Sequence, residues 1–280
     1  MDKTDKKFVF YKLQDDRFVN EVMKKSTGTS YPAINTTDLS RILLNIPKSK
    51  CEQEKIGNVL KKIDNIITLE QEKFKQFKLV YHALIQKLLI SDSSTGPEIR
   101  IENHHQNWVL QKVSDIFKIT RGNVLAKSKV MSRKDDENIY PVFSSQTMDN
   151  GLMGYFNKYL FENAITWTTD GANAGTVTYR RDKFYSTNVN GVLLSEEGYA
   201  SEVVALILNN TAYKYVSYVG NPKLMNNVMA DIKIYLPTDM VELDKLNLLF
   251  VQSKNILHKM EQSILRYKNI KKILLRNLFV

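Results

Sequence analysis

The sequence predicts an α+β protein: a compact, mainly antiparallel β domain with small helices, joined to two long helices that form an antiparallel coiled coil. Three observations carry this expectation. A 44-residue pattern occurs twice, at an offset of 190 residues. Each copy holds an apolar seam at heptad spacing. Between the copies lie short β-type runs punctuated by Gly and Asn.

The bulk properties narrow the class. A chain of 280 residues suggests one large or two modest domains, and 43% apolar with 25% charged residues excludes disorder for most of it. The single cysteine, Cys51, excludes an internal disulfide framework and fits a reducing cytosol. Four histidines and one cysteine are too sparse for a structural zinc site, so no metal and no cofactor are expected. The charged start, Met1 to Lys7, lacks a signal-peptide apolar run, and no segment approaches the roughly 18 apolar residues of a membrane span. The expectation is a soluble, cytoplasmic protein with no membrane partner. A net charge of +10 and a pI near 9.4 invite an anionic partner, nucleic acid above all, although a basic protein without one stays an open reading.

Taken in order, residues 1–46 precede the first helix, 47–90 form it, 91–107 are a linker, 108–236 hold the β domain, and 237–280 form the second helix. Segments 47–90 and 237–280 align without a gap, with eight identities including Pro47/Pro237, Glu52/Glu242, Lys55/Lys245 and Leu88/Leu278. In the first, Ile56, Leu60, Ile63, Ile67, Glu70, Phe74, Phe77, Tyr81, Leu84 and Leu88 are spaced four and three alternately. Their partners are Leu246, Phe250, Ser253, Leu257, Met260, Ile264, Tyr267, Lys271, Leu274 and Leu278. So narrow a stripe on a helix of about 60 Å calls for a partner helix, the competing reading being a helix laid on its own domain. Glu70, Ser253 and Lys271 within the seams are candidates for setting register.

The repeat extends upstream. Residues 32–47 match 222–237 at the same offset, and 7–22 resemble 202–217 with about five residues of slippage. The stretch from about 106 to 200 has no counterpart in front. Its β-type runs are 140–144, 164–168, 176–179 and 191–194, with a further strand at 233–235 and helical runs at 201–208 and 211–219. Ser, Gly and Pro mark 91–107 as linker.

The candidate DNA-contacting residues lie mostly on turns of the β domain: Arg121, Ser144, Ser145, Gln146, Thr169, Asn173, Arg180, Arg181, Lys183, Tyr185 and Asn188. Asn, Gln, Ser, Thr and Arg side chains read base edges and contact phosphates; the same residues also dominate ordinary turns. The run Arg180 to Lys183 is the best local phosphate-contact candidate, with a solvated hairpin turn as its rival. Residues 104–236 carry 14 Lys/Arg against 12 Asp/Glu, a balance of +2, while 47–90 (9 against 5) and 237–280 (8 against 4) each carry +4. Much of the basicity therefore sits on the helices.

No catalytic constellation is present. Asn221-Pro222 is followed by Lys223-Leu224 and so lacks the second Pro and the aromatic of an amino-methyltransferase motif, and no P-loop or Gly-x-Gly-x-x-Gly follows a strand. Asp239, Glu242 and Lys245 mimic a nuclease site but fall at a helix start, where acids favour the dipole.

The order of these motifs resembles the specificity (S) subunits of type I restriction–modification systems. Residues 35–74 are similar to the family's boundary sequence, in which a strand ending in Ile-Pro leads through Glu52-Gln53-Glu54-Lys55-Ile56 and Ile63-Asp64 to Ile67 into a long helix. Residues 117–122, Tyr140-Pro141-Val142, 151–155, 170–175 and Thr187-Asn188 follow the family's recognition-domain pattern. The resemblance implies two recognition domains, each reading half of a split site on double-stranded DNA, and two antiparallel helices between them. It implies methyltransferase (M) subunits as partners, with room for nuclease–translocase (R) subunits and for a second specificity chain. It also reads this sequence as a subunit shortened at its front, with 1–46 the end of a first recognition domain that lacks its β core and leaves Phe8, Phe10, Phe18 and Val19 uncovered. The alternative is a non-catalytic coiled-coil protein whose β domain binds protein or glycan; a stand-alone methyltransferase or nuclease is opposed by the missing motifs. The purified chain is accordingly expected to show no methylation, nuclease or ATPase activity, and turnover that survives purification and disappears with a point substitution here would refute that.

Overall fold

The computed structural model describes residues 4–28, 30–89, 96–101, 106–145 and 148–279, except the side chain of Met148. It forms two compact units, Met1–Val80 with Asn255–Val280, and Tyr81–Lys254. In chain order the elements are α1 (Lys6–Lys12), α2 (Asp16–Lys25), α3 (Thr36–Ser40), α4 (Lys50–Leu88), β1 (Val109–Lys112), α5 (Val113–Ile116), β2 (Lys118–Arg121), β3 (Tyr140–Phe143), β4 (Leu152–Phe156), β5 (Phe161–Thr168), β6 (Val177–Ser186), β7 (Asn190–Leu194), α6 (Glu202–Ala212), α7 (Asn226–Asp231), β8 (Lys233–Leu236) and α8 (Met240–Leu278). No helix among the described residues is long and apolar enough to cross a membrane.

The repeat is structural as well as sequential. Both long helices have 39 residues and start 190 positions apart, at Lys50 and Met240. The start of α7 lies 190 beyond that of α3. Thr27 bridges Ala33, and Ser217 bridges Lys223 at the same offset, both antiparallel. Helix starts follow the capping residues. Asp5 accepts from the Phe8 amide at 2.8 Å and Asp239 from the Val241 amide at 2.9 Å. Glu242 is bound by Arg100 through two bonds of 2.7 and 2.8 Å, so the apparent nuclease triad is a cap and an ion pair.

All twenty heptad positions are buried or half-buried. Within the first unit Leu60 packs with Leu274, Leu275 and Leu278. Within the second, Phe250 meets Tyr81 edge-on at 5.9 Å and shares a core with Leu84, Ile85 and Leu88. Higher numbers on one helix meet lower numbers on the other, so the pairing is antiparallel in each unit. Of the polar seam residues, Lys271 crosses to Asp64 at 2.7 Å, whereas Glu70 pairs along its own helix with Lys73 at 3.2 Å and sets no register.

Three expectations need correction. Phe8 is buried, because α1 lays Phe8 and Tyr11 against Leu60 and Phe279; only Phe10 and Val19 are well exposed, and Phe18 is half-buried. The segment before Pro47 is not a strand. Its counterpart β8 is held by β1 through the register Val109↔Leu236 to Lys112↔Lys233, whereas Leu43 stands 93% exposed. The helical run at 211–219 stops early: α6 ends at Ala212 and one 3-10 turn follows.

The second unit is built on a six-stranded sheet in the order β2-β7-β5-β6-β3-β4, antiparallel throughout except for the β3–β6 pair. At Asp182, with φ 59°, the β5–β6 register shifts; β6 pairs with β5 as far as Phe184 and with β3 at Tyr185 and Ser186. One sheet face carries Ile165, Trp167, Val177 and Leu193 into the core with α6. Gly191 lies under Trp167 so closely that a Cβ would fall 2.1 Å from the indole ring, and the indole N–H donates to the Leu224 carbonyl at 3.0 Å.

The seam assignment predicts that Phe250→Ala lowers stability by about 3–5 kcal/mol, while exposed Leu248→Ala shifts it by less than about 0.5 kcal/mol. Urea unfolding measures both, and similar losses at the two positions would overturn the assignment.

Candidate nucleic-acid interface

Strand alternation gives the other face of the sheet a polar stretch beside a small apolar cluster of Ala164, Phe184 and Val192. Along β5, Ala164, Thr166 and Thr168 alternate with the core residues Ile165 and Trp167; along β6, Thr178 and Arg180 alternate with Val177 and Tyr179. The register sets Thr166 opposite Thr178 and Ala164 opposite Arg180. This face lines a cavity of about 150 Å³. Thr166, Thr168, Thr176 and Thr178 line it from the β5–β6 hairpin. Ser144, Asn150 and Gly151 close it from the β3–β4 connection, and Asn173 and Asn190 from two further turns.

Arg180 is the only charged residue among those described as lining the cavity, and it is 8% exposed. Its Nε donates to Thr166 Oγ1 at 3.1 Å, and its guanidinium carbon stands 3.9 Å from the centre of the Phe143 ring. Burial pushes the guanidinium down to about 10, offset in part by the charge of Glu202, so it stays cationic at neutral pH. Glu202 is itself ion-paired with Lys254 at 2.8 Å.

The structure brings together only some of the residues singled out in the sequence. Ser144, Asn173 and Arg180 share the cavity, and the Asn173 amide donates to the Ser145 carbonyl at 3.3 Å. Arg121 and Asn188 meet elsewhere, the guanidinium donating to the Asn188 carbonyl at 2.9 Å. Arg181 and Lys183 are exposed within β6 rather than on a turn, and Lys183 stands over the Tyr159 ring at 4.7 Å. Two residues are buried. The Thr169 hydroxyl is buried 2.9 Å from the Val189 carbonyl and 2.8 Å from Asp170, and Tyr185 is buried with its ring edge-on to Phe156. Gln146 lies outside the described residues. The sequence reading missed Thr166, Thr176, Thr178 and Asn150. The alternation in Ala-Ile-Thr-Trp-Thr and Thr-Val-Thr-Tyr-Arg was the available signal for the threonines.

The chain matches the family model described as "Type I restriction modification DNA specificity domain" over residues 2–92 and 105–274. A type I specificity subunit N-terminus from Mycoplasma pneumoniae is 38% identical over 126 residues, 44% of this chain and 66% of that relative, so the match spans about two thirds of the relative's length. A second specificity subunit of that organism is 29% identical over 209 residues, 74% of this chain and 73% of the relative. Among solved structures, the S subunit of a type I restriction–modification system from M. genitalium superposes with a TM-score of 0.74 at 16% identity, covering 99% of this chain and 73% of that one. That likeness is one of fold.

The two classes of polar residue separate experimentally. Thr169→Val removes a buried hydroxyl that serves a carbonyl and should lower stability by about 1–2 kcal/mol, while Thr176→Val, at an exposed position, should leave it within about 0.5 kcal/mol. Thermal melting distinguishes them, and a neutral Thr169→Val would show that its hydroxyl is dispensable.

Proposed function

The chain belongs to the type I restriction–modification DNA specificity family, and from that membership we propose that it is a non-catalytic DNA-recognition subunit that directs methyltransferase subunits to their target. The observation that carries the residue-level reading is the polar face of β5 and β6, where a cationic side chain and a set of hydroxyls and amides gather around one cavity bordered by three turns. Hydroxyl, amide and guanidinium groups are the donors and acceptors that engage bases and phosphates, and among the described residues no group of three or more His, Cys, Asp or Glu side chains stands ready to hold a metal ion.

In this reading residues 108–236 are the recognition domain, and the exposed cations Arg121, Arg181 and Lys183 hold the DNA backbone while Ser144, Ser145, Asn173 and Asn188 lie nearest the bases. The paired helices serve as the seat for methyltransferase subunits, since each carries a larger positive balance, +4, than the +2 of the β domain. The same assembly has room for restriction subunits. One β domain among the described residues reads one part of a split target, and the other part falls to a second specificity chain. The complex works in the cytoplasm, on double-stranded DNA.

Duplex binding measured across a salt series tests the reading. Arg181→Gln with Lys183→Gln should flatten the dependence of affinity on salt, because fewer counterions are released, while Asn173→Ala should change sequence preference and leave the slope intact. Identical losses with unchanged preference in both would move the reading surface elsewhere. Footprinting with the methyltransferase present should protect one short segment, extending to two as protein concentration rises, and a two-part footprint from a monomer would refute the half-site assignment.

A further inference from the structure

A buried cation is costly to keep unless something compensates it. Arg180 is more than nine-tenths buried, and no carboxylate lines its cavity among the described residues. Glu202, which acts on it through space, is committed to Lys254. Of the guanidinium donors, Nε is spent on Thr166, while the two terminal nitrogens make no hydrogen bond to any described residue. The Phe143 ring holds the guanidinium at 3.9 Å from its centre, and Arg180 lines the cavity. Thr168, Thr178, Asn173 and Asn190 line the same cavity. A fixed fork of charged donors, ringed by neutral donors and free of acids, is the arrangement that suits an oxyanion whose oxygens spread in three dimensions.

We propose that this cavity is an oxyanion site that takes one phosphate group, and, resting on the DNA-recognition reading above, that the group is a backbone phosphodiester of the bound duplex. The anion completes the charge balance that the folded chain leaves open. Arg180 thereby differs from Arg181 and Lys183, which meet phosphates as exposed, hydrated charges. It makes a dry contact, and a dry contact holds the duplex in one register relative to the β3–β4 and β5–β6 turns.

The test uses the full chain and inorganic phosphate, at ionic strength held constant with chloride. Phosphate should raise the Tm by a few degrees and saturably. The rise should vanish in Arg180→Gln and shrink in Thr178→Val, a variant that keeps the shape of the strand and loses only a hydroxyl. No rise in the unaltered chain, or an equal rise in Arg180→Gln, overturns the site. A second arm adds a duplex oligonucleotide. Bound duplex should abolish the phosphate-dependent rise, and phosphate should compete for duplex in fluorescence anisotropy more strongly than chloride does. Phosphate stabilisation through Arg180 that persists with duplex bound overturns the phosphodiester assignment and leaves a site for free phosphate. If the chain binds no duplex while phosphate still acts through Arg180, the DNA reading falls and the oxyanion site stands. If duplex binds equally well in Arg180→Gln, the DNA reading stands and this inference falls.

Discussion

Residues that alternate between the two sides of a strand oblige the β5–β6 hairpin to have two unlike faces, and the second unit is arranged around that constraint. Trp167 takes the central place on the apolar face, which requires Gly191 beneath it and the Leu224 carbonyl at its nitrogen. α6 closes over the same face through Val204, Ile207 and Leu208. Thr166, Thr178 and Arg180 must then point the other way, where no helix covers them and turns gather instead. The polar cavity follows from how the core is filled.

Much of this was legible in the sequence. Heptad spacing identified the seam, and the 190-residue offset located the helices to within three residues at their starts. Those signals are local: each residue declares its own side of a helix. The cavity was harder, because it depends on which strand lies beside which. Asn173 and Arg180 are seven positions apart in sequence, yet what unites them with Ser144 is the parallel β3–β6 pairing. The burial of Thr169 and Tyr185 was hidden for the same reason. Both sit next to turn residues, but their burial comes from the neighbouring β7 turn and from β4. The run from Arg180 to Lys183 looked like one basic patch, but Arg180 turns into the cavity while Arg181, next along the strand, and Lys183 are exposed.

Pro47 shows a different limit. The sequence before it matches that before Pro237, and only the second copy forms a strand, since only there does β1 offer a hydrogen-bonding edge. Local pattern records what a segment is able to become; the partner decides whether it does.

The two copies also solve one packing problem by unlike means. Where a small helix meets the front half of a long one, the first copy uses Gly57, whose missing Cβ would stand 2.9 Å from the Phe8 nitrogen and from the Lys7 side chain. The second copy has Asn247 at the equivalent place, its side-chain oxygen accepting from the Glu202 amide at 3.0 Å. Leu60 and Phe250, also equivalent, fill volumes of different size. The repeats are therefore not interchangeable parts. A crossover that carried the second helix into the first position would bring an asparagine where only a bare backbone fits and a phenyl ring where a leucine is enclosed. The mismatch limits where one helix could be joined to the other's surroundings.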